Sequence, residues 1–351
     1  ISVIFDRLGL KFYDSDEFLL KGKKYLNDFF TNLNYNEFDY TNKLFDNLEK
    51  DEDKYIASPL ILDYFLAKLA RYSSTPNRDK FEYSKNMILS SFDLLTAKQK
   101  YIYNFYAGID ILILSNNKIH GKQLIQEALS LKETGHCYFW LSYAYRIENN
   151  PIKAYDSINK ALDLYVAEGN IISIMSSYEK IAEVYFMLDN YSDAINYLEI
   201  SLNMAKKFKN IYFLEHLNSI LAWAYYRLND FNKALEYLSY NKGLIDNRLI
   251  IPDSVIESLI YFSLENKELL NKFFNVKQAL TFRRSYQDFY IIWLILDSIS
   301  LSEENDFKES LLSDIRSLLC MLRNVNGVSV NEKYLNDFIG NMEAIRNKYK
   351  K

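Results

Sequence analysis

Three histidines, two cysteines and a few carboxylate runs are the side chains of this 351-residue sequence with the types that do chemistry. A zinc site needs His or Cys ligands at short, regular spacing, and covalent catalysis needs a nucleophile beside a base. His120, His136 and His216 are far apart and have no such spacing. Cys137 and Cys320 are too few for a disulfide framework or a multi-cysteine zinc site. Cys137 lies in an apolar helical stretch and reads as a small core residue. Glu303-Glu304 and Asp51-Glu52-Asp53 read as solvated turns. Asn190-Tyr191-Ser192 fits a glycosylation sequon but falls at a helical turn, and the chain reads as cytoplasmic. Phosphate-binding glycine loops, a metalloprotease helix and a nucleophile elbow are all missing from the sequence. The expectation is a chain that is not an enzyme and has no catalytic residue, metal or cofactor.

Composition sets the scaffold. Lysine and arginine (42) nearly balance aspartate and glutamate (46), leaving a net charge of −4 and no basic stripe to grip nucleic acid. Hydrophobic residues make up 49% and aromatics 16%, which excludes a disordered chain. Only 9 glycines and 4 prolines occur, too few for the turns of a Rossmann domain, sandwich or barrel. Helices joined by short connections remain. No apolar run approaches the roughly 18 residues that a membrane helix needs, and no secretory signal opens the chain. The sequence starts at Ile1 rather than Met, and an upstream part is expected.

Self-similarity specifies how the helices are organised. Leu141-Ser142-Tyr143-Ala144-Tyr145, Ile181-Ala182-Glu183-Val184-Tyr185 and Leu221-Ala222-Trp223-Ala224-Tyr225 align at a constant offset of 40. Each is followed by an Asn/Asp turn and then by Ala154, Ala194 or Ala234, again 40 apart. The tetratricopeptide repeat has this grammar at a period of about 34 residues. The longer period implies longer helices, which meet at Gly169-Asn170 and Lys209-Asn210. A degenerate unit precedes these three, with helices over 101–114 and 123–131 and Ala128-Leu129 matching Ala161-Leu162 at an offset of 33. Amphipathic stretches over 16–32, 36–49, 55–72 and 79–95 pair into two more hairpins. Downstream, 253–264, 268–284, 286–300, 306–323 and 331–349 continue helically. The fold expected is all-α, a right-handed α-solenoid of tetratricopeptide-like helical hairpins.

In such a solenoid the first helix of each hairpin lines the concave side, and consensus spacing names its inward side chains. The degenerate unit offers Tyr103, Tyr106 and Asp110, with Asn104 nearby. The next offers His136, Phe139, Tyr143 and Arg146, and the one after it Ser176, Glu179, Glu183 and Phe186. The last clear unit offers His216, Ser219, Trp223, Tyr226 and Arg227, with Asn218 beside them. Rigid aromatics mixed with charges of both signs suit an extended peptide, whose side chains need walls and whose termini and amides need partners. The same aromatics also suit packing between neighbouring helices.

The first segment narrows the expectation. Ile4-Phe5-Asp6-Arg7-Leu8-Gly9-Leu10, followed by Tyr13-Asp14-Ser15-Asp16-Glu17-Phe18, resembles the linker-to-repeat junction of PlcR-like regulators. The 40-residue spacing is similar to that of the wider RRNPP group of peptide-pheromone receptors. This resemblance implies that residues 1–14 are the remnant of a linker helix from a missing N-terminal helix-turn-helix domain. It implies that 15–351 form a peptide-sensing and dimerisation domain. A short signalling peptide in the groove, a homodimer, and DNA contact only through the missing domain follow from it, as do Asn104 and Asn218 as backbone clamps. A cytoplasmic quorum-sensing transcriptional regulator is the function so implied. A Rap-like response-regulator binder, an arbitrium-type phage receptor and a general interaction scaffold stay open beside it.

Overall fold

The computed structural model describes residues 11–36, 38–115, 117–244 and 251–264, and these are helical with no strand among them. The chain falls into two compact units, Ile1–Asn190 and Tyr191–Lys351. In the first unit the helices are α1 (Asp16–Asn34), α2 (Phe38–Lys50), α3 (Glu52–Ile56), α4 (Ile61–Tyr72), α5 (Arg78–Leu89), α6 (Ala97–Leu114), α7 (Lys118–Leu131), α8 (Gly135–Ile147), α9 (Pro151–Glu168) and α10 (Ile171–Met187). The second contains α11 (Tyr191–Lys207), α12 (Ile211–Arg227), α13 (Phe231–Leu244) and α14 (Ile251–Ser263). The architecture is the expected all-α solenoid of tetratricopeptide-like hairpins. No helix among the described residues is long and apolar enough to cross a membrane.

The repeated Asn/Asp turns follow one geometry. Asn149, Asp189 and Asn229 all take left-handed φ angles, 53°, 56° and 61°. The next amide then reaches back five residues, from Asn150 to Tyr145 O (2.9 Å), Asn190 to Tyr185 O (3.0 Å) and Asp230 to Tyr225 O (2.9 Å). This is the closure that satisfies the orphan carbonyls of a helix end, and Asn is among the few non-glycine residues that adopt it readily. The other class of turn works alike: Gly169 and Lys209 are left-handed (67° and 54°), and Asn170 and Asn210 then cap α10 and α12. Substituting Gly169 by alanine places a Cβ on a left-handed residue and is expected to cost about 1 kcal/mol, read as a lowered urea midpoint at unchanged m.

Small residues recur at the buried positions of the repeat helices. Ala154, Ala182, Ala194, Ala222 and Ala234 are fully buried, and Ser142 Oγ donates to Ala154 O at 2.8 Å. The degenerate unit goes further. Gly121 stands where Ala154 stands one unit later, at the same 33-residue offset that relates Ala128 to Ala161. A Cβ on Gly121 would lie 2.9 Å from Leu112 N and 3.0 Å from Gly108 O, so α6 and α7 pack almost backbone to backbone. Ahead of them, the core of α1–α5 is aromatic: Phe29, Tyr64 and Phe65 are fully buried.

Several boundaries differ from those expected. The stretch 55–72 is not one helix, because Ser58-Pro59 separates α3 from α4. Proline disfavours helical backbone in the residue before it, and the Ser58 hydroxyl donates to Tyr55 O and accepts from Leu60 N to close the break. The stretch 79–95 ends as helix at Leu89 and continues as a single 3-10 turn, Phe92–Leu94. Asn36 is left-handed (59°) and lies in the turn before α2. Helices α6 and α7 start earlier than expected, on the Thr96 capping box and the Asn117 cap. Residues 11–15 are not helical, and Tyr13 N–H donates to Ala57 O at 2.8 Å. The expected helices over 268–284, 286–300, 306–323 and 331–349, and residues 1–10 of the linker segment, lie outside the described residues.

Candidate functional site: the faces of α8, α10 and α12

In the first unit the structure separates the proposed groove residues into two classes. Those on α6 are covered by the protein itself. Tyr103 packs edge-on against Phe92, and Tyr106 packs edge-on against Phe105 and at a tilt against Phe30 of α1. Burial pushes both phenols up. Asn104 is buried and donates to Glu127 Oε2 at 3.2 Å. Asp110 is committed: both its oxygens accept from the Arg78 guanidinium (2.5 and 2.8 Å), and Ser74 N–H adds a third bond at 2.8 Å. This hairpin therefore offers a guest neither its aromatics nor its carboxylate.

The faces of α8 and α10 are different. Phe139, Tyr143, Arg146 and Glu183 are half-buried, and Ser176 lies with them on α10. Trp140, not among the expected residues, links the aromatics, edge-on to Phe139 (6.1 Å) and to Tyr143 (5.4 Å). Arg146 lies over the Tyr143 ring at 5.8 Å and pairs with Glu183 of α10. Lys180 completes a chain of alternating charge, 2.7 Å from Glu183 and 2.6 Å from buried Glu179. Burial works to lower the Lys180 ammonium, but the two glutamates outweigh it and hold the group above its usual range. Consensus spacing missed Lys180 because it sits between inward positions; its placement three residues before Glu183 was the available signal. Phe186 is buried at the far end of α10.

His136 is not a groove histidine. It is wedged edge-on between Phe105 and Tyr165, and its Nε2 bonds Asn34 O at 3.0 Å. Burial pushes its pKa down to about 4, so the ring is neutral at physiological pH. Asn170 Nδ2 donates to the same carbonyl (3.0 Å) and Asn36 Nδ2 reaches Ser173 Oγ (3.3 Å). The end of α1 is thereby fastened to the first turns of α8 and α10.

In the second unit, α12 presents Trp223, Tyr226 and Arg227 half-buried and His216 exposed. Trp223 and Tyr226 lie 5.5 Å apart, and the Arg227 guanidinium sits over Trp223 (5.8 Å) and Tyr191 (5.0 Å). Burial, against an opposing hydrogen bond from Ser263, pushes the Tyr226 phenol up. Asn218 and Ser219 are buried and bonded to Asn241 of α13 (3.1 and 3.0 Å).

Chemically, these faces offer aromatic rings beside charged groups of both signs. Among the described residues no group of three His, Cys, Asp or Glu side chains comes together to hold a metal. Cys137 is buried, and burial pushes its thiol up to about 11, away from nucleophilic character.

No protein-family model matches the sequence. No curated protein matches it either. Solved structures do match, at low identity. The apo form of the quorum sensor NprR from B. thuringiensis is 15% identical with a TM-score of 0.66, over 91% of this chain and 99% of that one. NprR in complex with its cognate peptide NprX is 16% identical with a TM-score of 0.60, over 92% and 99%. A Rap protein complexed with competence and sporulation factor is 16% identical with a TM-score of 0.63, over 93% and 98%. Across nearly its whole length, this chain shares the helical-repeat fold of the quorum sensor NprR and of the Rap protein.

Proposed function

We propose that the chain is the peptide-sensing repeat domain of a cytoplasmic quorum-sensing transcriptional regulator. It takes a short signalling peptide on its repeat-helix faces, those of α8 and α10 in the first unit and that of α12 in the second each being a candidate by itself, and acts as a homodimer. It relays its state to a DNA-binding domain outside this sequence. The observation that carries the reading is the pairing of half-buried aromatics with half-buried cations: Tyr143 with Arg146 on α8, and Trp223 with Arg227 on α12. Such pairs present an apolar wall and a charged donor side by side, which is what an extended peptide with side chains and free termini needs. The shared fold with NprR in its complex with NprX supports the same ligand class. A peptide that favours one arrangement of the helices shifts the population by its differential affinity.

Calorimetric titration with synthetic peptides from small reading frames beside the gene tests this. Trp223→Ala and Arg146→Ala are each expected to weaken binding by about 1–3 kcal/mol, roughly five- to 150-fold. Parent and variant affinities that coincide would remove these faces as the site, and a chain that binds none of the peptides would remove the function.

A further inference from the structure

The second unit contains a polar junction where α12, α13 and α14 meet. At its centre is Asn241 of α13, which is 3% exposed. Its amide nitrogen lies within bonding distance of three acceptors: Asp253 Oδ2 of α14 (2.8 Å), Ser219 Oγ (3.0 Å) and Glu215 O (3.0 Å), the last two on α12. Its carbonyl accepts from Asn218 Nδ2 at 3.1 Å. A primary amide has two hydrogens, so three acceptors compete for them. The second oxygen of Asp253, Oδ1, is buried and has no hydrogen-bond partner. The charged groups facing Asp253 are Glu215 from α12 and Glu257 from its own helix, both acidic, while α13 presents the neutral Asn241.

We propose that Asp253 is a proton-sensitive positioning residue: uncharged, it lets α14 dock and fixes Asn241 and Asn218 in place; charged, it loosens that dock. The physical reason is an ionised carboxylate with one oxygen unsolvated and unbonded beside two further carboxylates. Burial, aided by Glu215 and Glu257 and opposed by the bonds to Ser219 and Asn241, pushes the carboxyl up to about 6. The sign follows from linkage. The docked pKa exceeds the undocked one of about 3.9, so the docked state binds the proton more tightly. That stabilisation is complete below about pH 3.9 and is lost as the pH rises through about 6. The inference stands whether or not a peptide binds.

Hydrogen exchange of the full chain, corrected for the intrinsic rate, tests it. Protection of the α14 amides is expected to be about tenfold greater at about pH 5 than at about pH 7.5. Asp253→Asn keeps the acceptor for Asn241 and removes the charge, so its α14 protection should not change across that range. A parent ratio under about twofold overturns the proposal, as does an Asn variant that keeps the parent's dependence. If that variant does not fold, the parent's midpoint decides: near about pH 6 supports the proposal, and below about pH 4.5 overturns it.

Discussion

Arg78→Ala is expected to destabilise the first unit by roughly 2–4 kcal/mol, although it removes a side chain from the surface-facing start of α5. The arginine side chain is 38% exposed but its partner Asp110 only 5%. Two of the three hydrogen bonds to that carboxylate come from the guanidinium, and the third comes from Ser74 N–H. Ser74 is itself left-handed (φ 58°), so Asp110 also holds the turn between α4 and α5 in an unfavourable conformation. Without the arginine a buried charge keeps a single donor, and that uncompensated charge dominates the loss. Arg78→Lys should recover only part, because an ammonium does not span both carboxylate oxygens as the planar fork does. The double variant Arg78→Ala/Asp110→Asn should be more stable than Arg78→Ala alone. Urea midpoints at constant m check all three, and an Arg78→Ala midpoint equal to the parent's would show that the pair is inert.

Gly121→Ala should cost about 1–3 kcal/mol, and Gly121→Val more, by overpacking. The added carbon would meet the backbone of α6 at two points, Leu112 N at 2.9 Å and Gly108 O at 3.0 Å. Backbone does not yield as a rotamer does, so α6 and α7 must separate. Gly108→Ala meets mostly the side chain of Ile125, at 2.8 Å to Cδ1, which has some freedom to turn aside. The cost should therefore rank Gly121 above Gly108 in thermal melts. The reverse ranking would mean that α7 moves more easily than Ile125 repacks.

The hairpin architecture was legible in the sequence because it depends on local, repeated chemistry. The 40-residue register of Tyr145, Tyr185 and Tyr225 and the Asn/Asp turns after them map onto identical backbone closures. Breaks without that periodicity were not legible. The one at Ser58-Pro59 had a visible proline, yet the apolar spacing on either side ran straight through it. The candidate site was legible as far as helical register reaches. Register placed Arg146 of α8 and Glu183 of α10 among the inward side chains, and the two pair. Register does not reveal partners distant in sequence. Asp110 meets Arg78 32 positions away, and His136 meets Asn34 102 positions away, so neither faces a guest. Tyr103 and Tyr106 were misplaced for a similar reason, since Phe92 and α1 cover them.

The recurring left-handed closure after Tyr145, Tyr185 and Tyr225 makes the hairpin an exchangeable cassette. Every copy enters and leaves its turn with the same bond pattern, so duplicating or excising one period in frame rejoins compatible ends. Lineages descended from such a gene can vary the number of cassettes, and with it the length of the solenoid, without inventing a new joint.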